Sequence, residues 1–547
     1  MSLRLVPLGG LGEIGMNCLA LEQEGGILVV DCGISFPHDD LGADTQHARF
    51  DWLLERRRDV VGVVLTHGHE DHVGALPYLL AELPVPVYGP PHALAVARHR
   101  LAEAGLDMGR LRLVPTTPRT RFAVGPFGVE PIRVTHSIAD ATALAIDTAA
   151  GLVVHTGDFK LDPRPPDGQL TDEARLRELG DRGVRLLMSD STNIDARGEP
   201  GSESDVAEAL EPILRKARGR VVVGLFASNV QRLRVLGDIA RRTRRKIALM
   251  GRSMQSHVEW ARDLERLDWP SDLLVPVHEA RDLPPDQLLV LAGGTQAEPN
   301  SALARMAQGS HPQLLLEPGD TVVLSSRVIP GNDVPVYAMM GDLIRRGIEL
   351  RTWISDPGVH VSGHAHRSEQ RRMIEWTRPR AFLPVHGTLH HLMRHAELAR
   401  EVGVREVLAV ENGQTVVVDD RGLTAGERVA VGRVATWGGR TVPEAALRER
   451  QSIARAGVVH VTLVVDKKGA LVAPPAIAAR GLFDAEGADE ALRKVALEVQ
   501  QSVDRGRAPR ERVWDATLED AARLAARRAV ERFTGKKPVA VVTVVRL

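Results

Sequence analysis

The chain has 547 residues, 44% hydrophobic and 26% charged, the composition of an ordinary globular protein too long for one hydrophobic core, so two to four domains are expected. Aromatics make up 3% and the formal net charge is −1, which argues against a protein that coats nucleic acid non-specifically or grips it on many stacked rings, while 70 Lys and Arg residues are enough for a local basic channel. Cys18 and Cys32 both lie in apolar sequence, so no disulfide framework is expected and a reducing cytoplasm fits; neither a signal peptide nor an apolar run long enough for a membrane span is read.

Taken in chain order, GGILVVDCG (25–33) reads as a buried strand ending at Asp31, and DVVGVVLTHG (59–68) as another. The second runs into THGHEDH (66–72), which places His67, His69, Asp71 and His72 within six residues of a strand end. Imidazoles mixed with carboxylate suit zinc or manganese, and a paired-ion arrangement is a common device for cleaving phosphoesters. A lone histidine is usually structural; three with an aspartate at this spacing point to metal. A helical pattern follows at 75–83.

Further ligand candidates end later strands: His136 in VTHSIAD, Asp158 in GLVVHTGD and His386 in FLPVHGT. Each alone is as readily a structural residue as a ligand. Asp158 has two oxygens and can bridge two ions. Asp31 is expected to orient a ligating histidine rather than bind metal itself. Strands are also expected at 185–192, 220–228, 246–251, 288–294 and 320–326, with a Ser/Asp-capped helix over 202–218. This alternation means α/β architecture, with chemistry at strand ends. Two basic stretches stand out. ARRTRRK (240–246) is expected to be a solvated helix face, and RSEQRRM (367–373) to touch a nucleic-acid backbone. The composition shift around 436–457 reads as a linker. Beyond it a hairpin is expected at 458–472, helices near 488–502 and after Thr517 and Asp520, and a last strand in KPVAVVTVVRL. Asp39, Asp40 and Asp44 read as solvated loop residues, with a structural ion as the alternative.

The series Asp31, THGHEDH, His136 and Asp158 resembles the metallo-β-lactamase superfamily. The long insert before His386, Asp190 in MSDSTN and His364 in HVSGHAH resemble its nucleic-acid-processing β-CASP branch. FASNVQR (226–232), GGTQAEPNSALARMA (293–307) and SSRVIPGN (325–332) resemble the bacterial ribonuclease J family in particular. The resemblance implies an α/β fold: a metallo-β-lactamase αββα sandwich (1–177 and 360–435), an inserted α/β β-CASP domain (178–359), a linker (436–457) and a small C-terminal α/β domain (458–547). It implies two divalent ions, zinc first and manganese as the alternative. His67, His69, His136 and Asp158 would hold one; Asp71, His72, Asp158 and His386 would hold the other.

Asp71 would also orient the nucleophile, and His364 would contact the scissile phosphate or protonate the leaving oxygen. Asp31 and Asp190 would support these groups from behind. Ser228, Asn229 and the segment His360, Val361, Ser362, Gly363 and His364 would bind substrate phosphates; strand-end turns are the plain alternative. His366 departs from the small residue expected there and could be an extra donor. The implied activity is 5′→3′ exoribonuclease with endonuclease action on single-stranded, 5′-monophosphorylated RNA, in mRNA decay and rRNA maturation. The implied setting is cytoplasmic, as a homodimer, within an RNA-decay protein assembly. A DNA-repair nuclease of the same branch is the main rival. A small-molecule metallo-hydrolase would not need so large an insert, and an inactive scaffold would not need seven metal-binding side chains.

Overall fold

The computed structural model describes residues 2–37, 41–329, 331–484, 487–505 and 515–547. Its chain forms two compact units, one of Met1–His38 with Thr45–Arg433, the other of Asp39–Asp44 with Val434–Leu547.

The large unit is built on two facing sheets. In one, the central strands are Leu3–Gly9, Cys18–Gln23, Gly26–Val30 and Val60–Val64; in the other they are Thr142–Thr148, Gly151–His155, Val184–Asp190 and Ala381–Val385. Successive side chains along a strand point to opposite faces, so an unbroken apolar run buries both. Leu28 and Val64 pack inward with Val153, Leu186 and Leu383 of the opposite sheet. Val29 and Val63 face outward onto helices Leu76–Glu82 and Pro91–Glu103, and Val154, Leu187 and Phe382 face outward onto Glu173–Arg182, Arg367–Thr377 and Leu389–Glu401. The result is an αββα sandwich. Strands Gly26–Val30 and Val60–Val64 run parallel, as do Gly151–His155, Val184–Asp190 and Ala381–Val385. Their C-terminal ends release the loops that carry the candidate ligands other than His136, which follows the antiparallel strand Phe127–Arg133.

The expected sandwich boundary at 177/178 falls inside helix Glu173–Arg182. Strand Val184–Asp190 pairs with both Gly151–His155 and Ala381–Val385, so the first sandwich segment continues through Asp190. The inserted layer follows. It is a parallel sheet ordered Lys246–Met250, Leu288–Ala292, Val221–Gly224, Thr321–Leu324 and Glu349–Thr352. Both faces are buried: Val221, Val223 and Leu289 on one, Val222, Val290 and Val322 on the other.

In the small unit, strands Ala476–Arg480, Val458–Val465 and Val539–Arg546 form one sheet. Val459, Val461, Leu463 and Val465 alternate inward against Val495, Val499, Ala522 and Ala526 of helices Ala488–Arg505 and Asp515–Thr534. Thr517 and Asp520 therefore lie within the second helix. The expected hairpin turns at 466–470, where the Val472 N–H donates to the Val464 carbonyl at 2.9 Å and Val465 bridges Leu471, and its return strand continues through 476–480. The stretch read as a linker is ordered: Thr436 and Trp437 pair with Thr441 and Arg440, and helix Glu444–Ala456 follows. Asp39 and Asp40 lie outside the described residues, while an Asp44 oxygen accepts the Gly438 N–H at 2.8 Å. Among the described residues, no helix is long and apolar enough to cross a membrane.

Candidate metal centre

Strand Val60–Val64 delivers THGHEDH to the sheet edge, where the chain turns into the short helix Glu70–Val73. Asp31 ends the neighbouring strand at φ 59°. Its Oδ1 accepts the Thr66 N–H at 2.8 Å, and its Oδ2 accepts the Thr66 hydroxyl at 2.8 Å and lies 2.8 Å from His72 Nδ1. A carboxylate on Nδ1 fixes the ring so that Nε2 faces inward. The two loops touch because residue 33 is glycine: a Cβ there would lie 1.7 Å from the Asp71 carbonyl oxygen.

Two donor sets result, each with its ligand atoms within 4.8 Å of one another: His67, His69, His136 and Asp158; and Asp71, His72, Asp158 and His386. In the first, His69 Nδ1 lies 3.1 Å from both His67 Nε2 and His136 Nε2, and Asp158 Oδ2 lies 3.7 and 3.9 Å from those two Nε2 atoms. A tetrahedral zinc with Zn–N bonds of about 2.0–2.1 Å has an N···N edge of about 3.3 Å, so the spacing fits a divalent ion. His136 Nδ1 donates to the Gly363 carbonyl at 2.6 Å, which leaves Nε2 as the ligating atom. In the second, His72 Nε2 lies 3.2 Å from Asp158 Oδ2 and 3.5 Å from Asp71 Oδ2. His386 Nδ1 lies 2.7 Å from Asp158 Oδ1, and its Nε2 lies 3.4 Å from Asp71 Oδ2. Asp158 belongs to both sets.

Burial, reinforced by neighbouring imidazoles, pushes His67 and His136 well below the usual histidine range, and burial brings His69 down to about 4. These rings are neutral, the form that binds metal. Burial opposes ionisation of Asp71 and Asp158, but His72 and His386 hold both carboxyls low. His72 and His386 are raised in turn, because Asp158 outweighs their desolvation.

Asp190 and His364 sit beside the second set. His364 Nδ1 is 2.8 Å from Asp190 Oδ2, and the other Asp190 oxygen accepts the Thr192 N–H at 2.9 Å. Burial alone would lower His364; Asp190 and Asp158 overcome it and push the ring up to about 9. Asp190, His364, Asp158 and His386 also bring their donor atoms within 4.8 Å. Two of these four already serve the second set, and the close Asp190–His364 contact is that of a hydrogen-bonded pair.

The expected phosphate contacts divide. Ser362 Oγ accepts the His364 N–H at 3.1 Å, and Gly363 touches His136, so the 360–364 segment borders the centre. Val361 is half-buried beside it. His360 faces away, its Nδ1 3.3 Å from the Ser325 carbonyl, and burial brings it down to about 3. Asn229 caps helix Val230–Thr243 through the Arg232 N–H at 2.9 Å, and its amide reaches Glu203 at 3.4 Å, so both ends of its side chain are engaged within the protein. Ser228 is half-buried at that helix start. His366 joins none of the three sets; its N–H donates to Glu369 at 2.8 Å to cap helix Arg367–Thr377.

In the first basic stretch Arg241, Arg242 and Arg244 are exposed, whereas Arg245 is buried and donates to the carbonyls of Leu288 and Ala217 at 3.0 and 2.7 Å. In the second, Arg367 and Arg371 bind Glu401 at 2.8 and 3.2 Å, and Arg372 binds Glu199 at 3.1 Å.

Several supporting residues escape sequence reasoning. Asn17 Nδ2 lies 3.0 Å from His72 Nε2 and 3.4 Å from Asp71 Oδ2, with only an apolar strand start to mark it. Thr66 is the readable one, standing at the head of the motif. A buried ion pair, Glu203–Arg232 at 2.6 Å, reaches toward the centre: Arg232 donates to the Ser325 carbonyl at 3.0 Å, and Ser325 Oγ donates to the Val359 carbonyl at 2.6 Å. Lys160, two residues from Asp158, lies 3.7 Å from Glu203.

Four family models match the chain: metallo-beta-lactamase superfamily over residues 11–191, ribonuclease J beta-CASP domain over 218–343, Zn-dependent metallo-hydrolase RNA specificity domain over 358–410, and ribonuclease J C-terminal domain over 445–547. The chain is 39% identical to the ribonuclease J of Synechocystis across 88% of this chain and 76% of that one. It is 37% identical to the ribonuclease J of Mycobacterium tuberculosis across 100% and 97%, and 37% identical to that of Sinorhizobium meliloti across 99% and 97%. A solved protein of unknown function from Enterococcus faecalis shares the fold, with a TM-score of 0.56 at 16% identity over 76% of this chain and 100% of that one.

Proposed function

As a member of the ribonuclease J family, within the metallo-β-lactamase superfamily, this chain is a metal-dependent ribonuclease, and we propose that it is a two-ion 5′→3′ exonuclease that also cuts internally and prefers single-stranded RNA with a 5′-monophosphate. The observation that carries the reading is Asp158, whose carboxylate contributes to both donor sets. His67, His69 and His136 would complete one ion site, and Asp71, His72 and His386 the other. Zinc suits this mixture of nitrogen and oxygen donors, with manganese as the alternative. Divalent ions held there supply an activated water and neutralise charge on the phosphoryl oxygens.

The chain's own groups do the rest. Asp31 and Thr66 hold His67 and His72 in orientation. Asp71, half-exposed at the rim of its set, orients the attacking water. His364, kept protonated and aimed by Asp190, contacts the scissile phosphate and returns a proton to the leaving oxygen. Ser362 and the backbone at 360–363 steady the phosphate, with Ser228 as a further donor. The DNA-repair alternative is not favoured, since the relatives matched over most of the chain are ribonucleases. A cytoplasmic homodimer working in an RNA-decay assembly, with mRNA and rRNA precursors as targets, completes the proposal.

The test is single-stranded RNA carrying a 5′-monophosphate or a 5′-triphosphate, given to chelated protein before and after zinc or manganese is restored, with His67→Ala as control. Metal-dependent release of mononucleotides, faster from the monophosphate and lost in the variant, is expected. Intact RNA under every metal would sink the proposal.

A further inference from the structure

A cavity of about 660 Å³ is walled by the loop that follows Asp190 and by helices Arg367–Thr377 and Leu389–Glu401. None of the metal-centre residues lines it. Its charged lining is Arg197, Arg367, Arg371 and Arg394 against Asp195 alone. Arg367 and Ser368 open helix Arg367–Thr377, whose positive end adds to the field. No aromatic residue lines the walls, so what enters is gripped by charge rather than by base stacking.

The arginines are only partly satisfied. Among the described residues Arg197 has no ion pair, and Arg367 Nη1 is buried with no hydrogen-bond partner. Arg367 and Arg371 share one carboxylate, Glu401, at 2.8 and 3.2 Å. Asp195 lies 3.5 Å from Arg394 but is bound more closely by His390 at 2.8 Å, while Arg394 pairs with the half-exposed Glu397 at 2.6 Å. Half-exposed pairs of this kind are weak, and guanidinium groups exchange them readily for the forked, charge-assisted bonds of a phosphate.

We propose that this cavity is a phosphate-binding site separate from the metal centre, taking the phosphate of a free nucleotide or of an RNA strand on Arg197, Arg367, Arg371 and Arg394. The RNA source rests on the ribonuclease reading above; anion binding does not. The site touches the reaction centre through its wall: Asn193 Nδ2 donates to the His364 carbonyl at 3.3 Å, and the Arg367 N–H donates to the Ala196 carbonyl at 3.2 Å. A phosphate held here braces the loop against which His364 leans.

The full chain, stripped of metal by chelation so that RNA is not cut, is titrated calorimetrically with adenosine 5′-monophosphate and separately with single-stranded RNA. Arg197→Ala/Arg371→Ala is compared with wild type and with Arg372→Ala, a neighbouring arginine outside the cavity. If free nucleotide is the occupant, adenosine 5′-monophosphate binds the double variant about tenfold more weakly. If the strand is, RNA affinity falls about tenfold and its salt dependence slackens by about two counterions. Either loss, absent in Arg372→Ala, supports the site. Asp195→Asn, which removes the one lining acid, is expected to tighten the same ligand and guards against a misfolded double variant. Unchanged binding of both ligands in the double variant and in Asp195→Asn would overturn the proposal. Hydrolysis of RNA by metal-restored wild type is read separately, so failure of the ribonuclease reading is told apart from failure of this one.

Discussion

Replacing Asp31 by asparagine changes one atom of the centre and should weaken one ion site far more than the other. The residue sits at φ 59°, a conformation asparagine tolerates, so the backbone need not move. In the native protein Oδ1 takes the Thr66 N–H, while Oδ2 takes the Thr66 hydroxyl and faces His72 Nδ1, all at 2.8 Å. An amide NH₂ at the Oδ2 position is a donor facing His72 Nδ1–H. Turning the amide over only moves the clash to the Thr66 N–H. The simplest relief is for His72 to shift its proton to Nε2, the atom 3.2 Å from Asp158, where a metal needs a lone pair. Loss of such a supporting partner typically costs 10–100-fold in metal affinity, or about 1.4–2.8 kcal/mol. The set with Asp71, His72 and His386 should bear that loss. The set with His67, His69 and His136 should lose less, because His136 is oriented by Gly363 and His67 meets the change only at second hand, through the Thr66 hydroxyl 3.0 Å from its Nδ1. Competition of chelated protein against a chromophoric zinc chelator measures both steps. The reasoning is refuted if Asp31→Asn binds both ions as tightly as wild type, or if the loss falls on the other step.

Gly363→Ala should cut RNA hydrolysis at least tenfold without unfolding the chain, because its Cβ would lie 2.5 Å from Ser137 Oγ and 3.1 Å from the His136 ring; native turnover with an unchanged melting temperature would contradict this. Arg232→Met should destabilise the large unit by about 3–5 kcal/mol in denaturant titration, because it leaves Glu203 charged and buried; a change below about 1 kcal/mol would mean that the pair is dispensable. Burial holds His395 neutral, down to about 3, with the Asp190 carboxylate only partly opposing it. The unfolded chain takes up a proton near pH 6.5, so this residue's contribution to stability falls as pH drops from about 6.5 toward 3 and amounts to about 2 kcal/mol lost by pH 5. His395→Asn should therefore melt with a shallower pH dependence over 7.5 to 5, and an identical slope would exclude the effect.

The gathering of donors at the candidate metal centre was largely legible, because metal chemistry demands several ligand types at one short spacing, and THGHEDH meets that demand directly after an apolar strand. Asp31 was legible for a related reason, as a carboxylate closing the neighbouring strand. Asn17 and the Glu203–Arg232 pair were not, because their roles come from contacts between segments far apart in the chain. The boundary at 177/178 failed on a similar ambiguity. Val184–Asp190 is a fully buried strand that either sheet could accept, and only its pairing decides. Helix Glu444–Ala456 buries none of its residues, so its polar sequence passed for a linker. The hairpin's turn was legible, but strand Ala476–Arg480, which continues its return arm, alternates exposed and half-buried positions and carries too weak an apolar signal to be read.

The most direct test of the account counts zinc ions bound per chain, by equilibrium dialysis of chelated protein, while single-stranded RNA cleavage is followed in the same samples. Two ions per chain are expected, with cleavage that rises only as the second is taken up, and with impaired binding of both in Asp158→Ala. Full cleavage at one ion per chain, or undiminished binding of two ions by Asp158→Ala, would contradict a shared Asp158 at the heart of the site.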